Sequence, residues 1–497
     1  MSPRRRRAVT AGVMTGMLLA ALEGTVVGTA MPTIVAALGG LAHYSWVVSA
    51  YLLTSTVTVP LWGKLSDLFG RRPIFQIGIL VFLVGSLACG ASQSMTQLIL
   101  ARALQGLGAG ALIPLAMTII GDIFTLEERA KMQGLFSGVW GVSSVVGPLL
   151  GGFITDQLSW RWVFYVNLPV GIAAAAIIGV ALREPKREER PSIDYAGAIV
   201  LTAAVTLLLF VVSSEHLFTP RNGLLAVLTI ALFAFFVRVE RRADDPVVPF
   251  GLFRNRVVAV AIIVGFLAGI GMFAAITFVP LLAQGVLGAS ATAAGTFLTP
   301  LMLAWVFSSI VGGRLLIRLG SRALVIAGLL FMMAGFAALA TFTRDTSRAL
   351  IMVELIFIGA GLGLVMLTLL IASQHSVPRE QLGITTSLNQ FSRSIGGTVG
   401  VAILGAFLTA GLAEFSANPN ALVNAEARAG LQAAEVVALQ GALEGSLRTI
   451  FMVCAIVVGI SLAAAVTLPR GQVGGAHGER MVMAEMATID AGNEPEG

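Results

Sequence analysis

The 497-residue sequence is short of charge: Asp, Glu, Lys and Arg make up 12% of it, about half the density of a soluble domain. Too few charges remain to cover a water-facing surface, which disfavours a soluble enzyme, a disordered chain and a nucleic-acid binder. Cys89 and Cys454 are the only cysteines, both in apolar stretches, so no disulfide framework or thiolate metal site can be built. Histidine is equally scarce. His43, His216, His375 and His477 sit near the ends of apolar runs, in loops or in the tail, leaving no metal cluster or nucleophile–base pair inside the runs. No Gly-x-x-x-x-Gly-Lys-Ser/Thr sequence is present to cradle ATP phosphates.

Apolar residues are what the chain has: 57% are hydrophobic and the mean hydropathy is +0.89. A helix crossing about 30 Å of hydrocarbon needs roughly 20 apolar residues. Fourteen such runs can be delimited, at 9–30, 46–61, 74–90, 98–120, 134–154, 162–182, 195–212, 224–237, 257–282, 293–315, 323–341, 350–371, 384–410 and 450–468. Arg4–Arg7 ahead of the first run resembles the start of a signal peptide, but Glu23 interrupts that run, which is therefore read as a first, uncleaved helix.

Of the 32 lysines and arginines, only Arg161, Arg221, Arg344, Arg348, Arg428 and Arg448 fall in connections opposite the N-terminus; Arg102 and Arg393 lie within spans. The positive-inside rule then puts both termini in the cytoplasm, as an even span count requires, and accounts for the net charge of +6 without a polyanion partner. The longer connections are 183–194, 238–256 and an external 411–447 segment with an Ala-rich, helix-prone stretch at 425–443. The polar, Gly-rich tail 471–497 reads as disordered and cytoplasmic.

An internal repeat organises the spans. Gly63-Lys64-Leu65-Ser66-Asp67-Leu68-Phe69-Gly70-Arg71-Arg72 recurs about 250 residues later as Gly313-Arg314-Leu315-Leu316-Ile317-Arg318-Leu319-Gly320-Ser321-Arg322, with both glycines in register. The copies lie eight spans apart, which predicts six helices (residues 1–190), two inserted helices (191–240) and six more (241–470). Parallel repeats about a central site are a transporter architecture.

Five motifs then carry a family resemblance: Leu22-Glu23-Gly24-Thr25-Val26-Val27-Gly28-Thr29-Ala30-Met31-Pro32 in the first span, the Gly63–Arg72 segment, Arg102-Ala103-Leu104-Gln105-Gly106, Gly147-Pro148-Leu149-Leu150-Gly151-Gly152 and Trp160-Arg161-Trp162-Val163-Phe164-Tyr165-Val166-Asn167-Leu168-Pro169. In this order they resemble the major facilitator superfamily, and within it the fourteen-helix drug/proton antiporters of the EmrB/QacA type. The resemblance implies an all-α integral membrane protein of the bacterial plasma membrane, a 6 + 2 + 6 helix arrangement and export by alternating access. It implies no cofactor, the proton gradient being the drive. Partners are lipophilic, often cationic small molecules, protons and membrane lipids, with no nucleic acid, and the protein is expected as a monomer.

The residues support definite roles. Glu23 lies about fifteen residues, roughly 22 Å, into its helix, where an ionised carboxylate must be protonated, paired or facing water. It can exchange a proton for a cationic substrate, or pair statically with Arg102 or Arg393; the family usually has aspartate here. Arg102, Gly106 and Gly110 share one face, placing a guanidinium beside a groove where a helix can approach. The resemblance gives Arg102 a part in proton transfer. Gly147 and Gly151 form a small-residue face on a helix kinked by Pro148, followed by Gly152; by resemblance this antiporter motif favours exchange over leak, the alternative being a structural kink without directional meaning. Asp67, Arg71 and Asp122 are, by resemblance, a cytoplasmic gate, the alternative being a purely topogenic basic loop. Asn389, Arg393 and Gly397 make a polar stripe on the thirteenth span, as an anion site, a partner for Glu23 or interhelical hydrogen bonding. Glu354 is close enough to Arg348 to snorkel to the surface. Trp46, Tyr51, Trp140 and Trp305 can line a cavity for flat or cationic ligands. A dedicated exporter of a lipid or specific metabolite is the alternative within the same fold, and a membrane-embedded enzyme or receptor the alternative outside it.

Overall fold

In lipid the backbone must satisfy its own hydrogen bonds, and long apolar runs therefore become helices. The computed structural model describes residues 2–124, 126–182, 195–212, 220–243, 246, 248, 250–378, 381–413 and 432–469. Its helices are α1 (Pro3–Leu38), α2 (Tyr44–Phe69), α3 (Arg71–Ala91), α4 (Met95–Ile123), α5 (Leu126–Gln157), α6 (Trp162–Tyr165), α7 (Asn167–Ala181), α8 (Tyr195–Val212), α9 (Pro220–Glu240), α10 (Arg256–Leu281), α11 (Ala291–Leu339), α12 (Arg348–His375), α13 (Leu382–Ala413) and α14 (Ala433–Ala465). Among the described residues there is no strand, and eleven helical segments are long and apolar enough to cross a membrane. Each of the fourteen expected runs falls on a helix, the tenth and eleventh sharing α11.

Four details differ from the sequence reading. Gly63–Phe69 is helix rather than loop, and the turn into α3 is made by Gly70 alone, at φ 93°. Gly320 makes the equivalent turn inside α11 at φ 76°, so the second glycine of each repeat copy holds a left-handed conformation that other residues rarely adopt. The sixth run is split, because Pro169 cannot donate to the Tyr165 carbonyl and its ring clashes with it; the helix breaks at Val166 and restarts at Asn167. The last helix begins at Ala433, so the 433–443 part of the Ala-rich stretch is the first turns of the final span rather than a separate element. The remainder of that stretch, the 183–194 connection and the 471–497 tail lie outside the described residues.

The packing pattern recurs. α1 packs on α5 and α7, and α10 packs on α13 and α14; α4 packs on α2 and α3, as α12 does on the two parts of α11. α5 meets α11, α2 meets α13, and α8 with α9 forms a pair touching α2 and α13 through α8. α9 is largely unburied, with Leu224, Val227, Ile230 and Phe235 on its outside. An outward apolar surface of this kind needs lipid around it.

Candidate functional site: a buried carboxylate cluster

Glu23 lies on the buried side of α1 with 1% of its surface exposed. An ion pair joins it to Arg102 of α4, and its second oxygen accepts from Asn167 Nδ2 at 2.6 Å. Arg102 also donates to Gln105 Oε1 at 2.6 Å and to the Val47 carbonyl at 3.3 Å. Gln105 Nε2 donates in turn to Ser86 Oγ at 2.8 Å. The Tyr51 ring lies 4.1 Å from the Arg102 guanidinium and Phe164 lies 6.0 Å away, so cation–π contacts cover faces that hydrogen bonds cannot reach. Five helices, α1, α2, α3, α4 and α7, thus contribute hydrogen-bonding groups to one buried cluster, of which α4 and α7 reach the carboxylate itself. Removing one partner of such a buried pair strands the other charge, a loss of about 3–5 kcal/mol.

Local sequence explains the convergence. The Pro169 break lets α7 start at Asn167, bringing its amide to Glu23. Arg102 and Gln105, three apart, share a face of α4. Gly106 and Gly110 lack the side chains that would strike Tyr51, Thr54, Ser55 and Thr58, so α2 is the helix that approaches this groove and carries Tyr51 beneath the guanidinium. Gln105 and Asn167 belong to motifs read from the sequence, but neither had been assigned to the site; a buried amide on an apolar helix was the available signal. Ser86 had none.

The other candidate residues lie elsewhere. Arg71 donates to Asp122 Oδ2 at 3.2 Å and to Ser66 Oγ at 2.6 Å, joining the start of α3 to the end of α4. The side chains of Asp67 and Trp140 lie outside the described residues. Gly147 and Gly151 admit Thr25 and Thr29 of α1, Gly152 admits the backbone of Thr292 in α11, and the Pro148 carbonyl lies against Gly295. The motif therefore packs α5 between α1 and α11. Arg393 is hydrogen-bonded to Gln390, not to Glu23, because α13 turns its backbone at that point onto Gly269 of α10. Asn389 donates to Ser373 Oγ at 3.0 Å, tying α13 to α12. Trp305 is half-buried in α11, Trp46 contacts Phe210, and Tyr51 lies against Arg102.

Two further features lie where α5 and α11 meet. The Asp156 carboxylate accepts from the backbone N–H groups of Ala291 and Thr292 at 3.2 and 2.9 Å, capping α11 from the end of α5. At the same end of the bundle, Gln284 donates to the Thr29 carbonyl at 2.9 Å and Tyr44 donates to the Thr277 carbonyl at 2.7 Å. Lower on α5 and α11, an open groove is lined by Leu149, Thr296, Thr299, Leu303, Phe307 and Ile356, among others; Leu149, Leu303, Phe307 and Ile356 are exposed, so the groove lies on the outer apolar face of the bundle. Among the described residues no group of His, Cys, Asp and Glu could hold a metal.

The chain is 44% identical over 411 residues to the "Multidrug transporter protein MdtP" of Bacillus subtilis, covering 82% of this chain and 76% of that protein. It is 39% identical over 406 residues to "Multidrug resistance protein 3" of the same organism, covering 81% and 79%. Its fold is similar to that of a bacterial homologue of the human lysosomal transporter Spinster, with a TM-score of 0.67 at 19% identity over 94% of this chain and 97% of that one. Transporters of this kind, with many apolar helices, are integral membrane proteins rather than enzymes. The family model described as "Major Facilitator Superfamily" matches residues 13–401, and the chain belongs to that superfamily.

Proposed function

We propose that the protein exports hydrophobic, often cationic small molecules in exchange for protons across a bacterial plasma membrane. It does so with fourteen spans in a six–two–six arrangement (residues 1–190, 191–240 and 241–470) and with both termini cytoplasmic. The observation that carries the reading is Glu23, a carboxylate enclosed among five helices and held by a cation and an amide. When Glu23 is ionised, Arg102 compensates its charge; when it takes up a proton the pair is released, and Arg102, Gln105 and Asn167 must find new partners. One proton thereby rearranges contacts between α1, α4 and α7, as coupling to alternating access requires.

The relatives named as multidrug transporters support the substrate class. With few fixed polar groups inside the spans, a site between the halves discriminates by size and charge rather than by hydrogen bonding. On the proposed orientation the Asp156, Gln284 and Tyr44 bonds lie at the external end, and the Arg71–Asp122 pair lies at the cytoplasmic end as part of a gate with Asp67. No cofactor is required, and the monomer suffices.

The test is uptake of several chemically unrelated lipophilic cations into inverted proteoliposomes under an imposed pH gradient. Accumulation of dissimilar compounds, abolished by a protonophore, is expected. Transport of a single chemical class would point to a dedicated exporter of a lipid or metabolite, and accumulation that survives the protonophore would overturn proton coupling.

A further inference from the structure

Glu354 was expected to snorkel toward Arg348 at the surface, and the structure places it inside. It belongs to the buried stripe of α12 with Ile351, Leu355, Ile358 and Leu362, whereas Leu350, Val353, Ile356 and Phe357 form the outward face. Only 6% of Glu354 is exposed, and its Oε2 is fully buried with no hydrogen-bond partner. Among the described residues no ion pair reaches its carboxyl either.

The charged groups of the neighbouring elements are remote or engaged. On α11, Arg314, Arg318 and Arg322 flank the Gly320 turn, at the opposite end of α12 from Glu354. On α10, Arg256 is the first residue, also at that far end. On α13, Arg393 is bonded to Gln390. In the connection leading into α12, Arg344 is taken up by Glu444 and the Val437 carbonyl, while Asp345 offers no positive charge. Arg348 opens α12 and is exposed, and His375 closes it.

A carboxylate with neither donor nor cation beside it cannot remain charged in an apolar interior at reasonable cost, whereas the protonated acid can be held there. Glu354 is also only about six residues, roughly 9 Å of helix, from the end of α12. We propose that Glu354 is a second proton-binding site, in the C-terminal half, which holds a proton in this conformation and exchanges it with the external solution. The step is a simple dissociation of the carboxylic acid into carboxylate and a proton. It deepens the proton-antiport reading and rests on it: transport would move a proton at Glu354 in addition to the one at Glu23.

The test is infrared difference spectroscopy on right-side-out proteoliposomes of the full chain during a jump in external pH, a measurement that needs no substrate. The wild type is expected to show a protonated-carboxyl band that falls as external pH is raised. Glu354→Gln should remove that band, Glu354→Asp should displace it, and Glu23→Gln should leave it in place. Should Glu354→Gln fail to fold, the Glu354→Asp spectrum decides. A band absent from the wild type, unchanged in the Glu354 variants, or insensitive to external pH overturns the proposal. The two readings fail separately. Loss of coupled transport in Glu23→Gln without a Glu354 band sinks this inference alone, while a titrating Glu354 band together with gradient-independent transport sinks the antiport reading alone.

Discussion

The two ends of the repeat are built on one packing plan and filled with different chemistry. Around α1 and α4, Glu23, Arg102, Gln105, Ser86 and Asn167 form a connected buried network in which the carboxylate has both a cation and an amide. Around α10 and α12, the corresponding interior holds an unpartnered Glu354, while the arginine of α13 is bonded within its own helix to Gln390. Repeated packing therefore conserves the scaffold, through matching glycine turns and helix partners, without conserving the polar contents. A site that must respond to one proton needs a connected network on one side and something able to move against it on the other.

That contrast can be broken in order of expected effect. Glu23→Gln keeps the shape and the hydrogen bond from Asn167 but removes the exchangeable charge; gradient-driven accumulation of a lipophilic cation should be abolished while the protein still inserts and runs as a single species. Undiminished uphill transport would remove Glu23 from the mechanism. Arg102→Ala leaves a buried carboxylate without its cation and should cost about 3–5 kcal/mol. Arg393→Ala breaks no ion pair among the described residues and should cost clearly less, and thermal unfolding of the two detergent-solubilised variants compares them; equal losses would mean that the halves are not chemically distinct.

Asn167→Ala removes a hydrogen bond to a charged group, with an expected loss of about 1.5–3 kcal/mol and weakened coupling in the same transport assay. Gly152→Leu pushes a side chain into the Thr292 backbone, and overpacking of this kind costs about 1–3 kcal/mol. Spin labels on α5 and α11 should report their separation, and an unchanged distance would show that the contact yields elsewhere. The smallest effect belongs to Asp122→Asn: the pair with Arg71 is partly exposed, and such pairs are worth about 0–1 kcal/mol. Its consequence should appear as a population shift in label distances across the N-terminal side of the bundle, with the melting temperature nearly unmoved.

Much of this was legible in the chain. Apolar length located the long helices among the described residues, because a backbone in lipid has no alternative to its own hydrogen bonds. The repeat was visible as two glycines in register, and Glu23 stood out as a charge in an apolar run. Tertiary contacts were not legible in the same way. Nothing in the spacing of Arg102 and Arg393 decides which of them meets Glu23, since both lie on faces rich in glycine. Glu354 illustrates the converse error: nearness in sequence to an external arginine suggested the surface, whereas the rotation of α12 against α11 turned it inward.

The sequence by itself determined the membrane setting, the apolar helices, the glycine turns at Gly70 and Gly320, and the family, because each follows from local composition and backbone restriction. The tertiary structure alone decided that Arg102, not Arg393, pairs with Glu23, that Ser86, Gln105 and Asn167 complete the cluster, and that Glu354 is buried without a partner. These outcomes depend on how helices far apart in the chain rotate and approach one another. That is set by the summed packing of whole faces, which no short stretch of sequence contains.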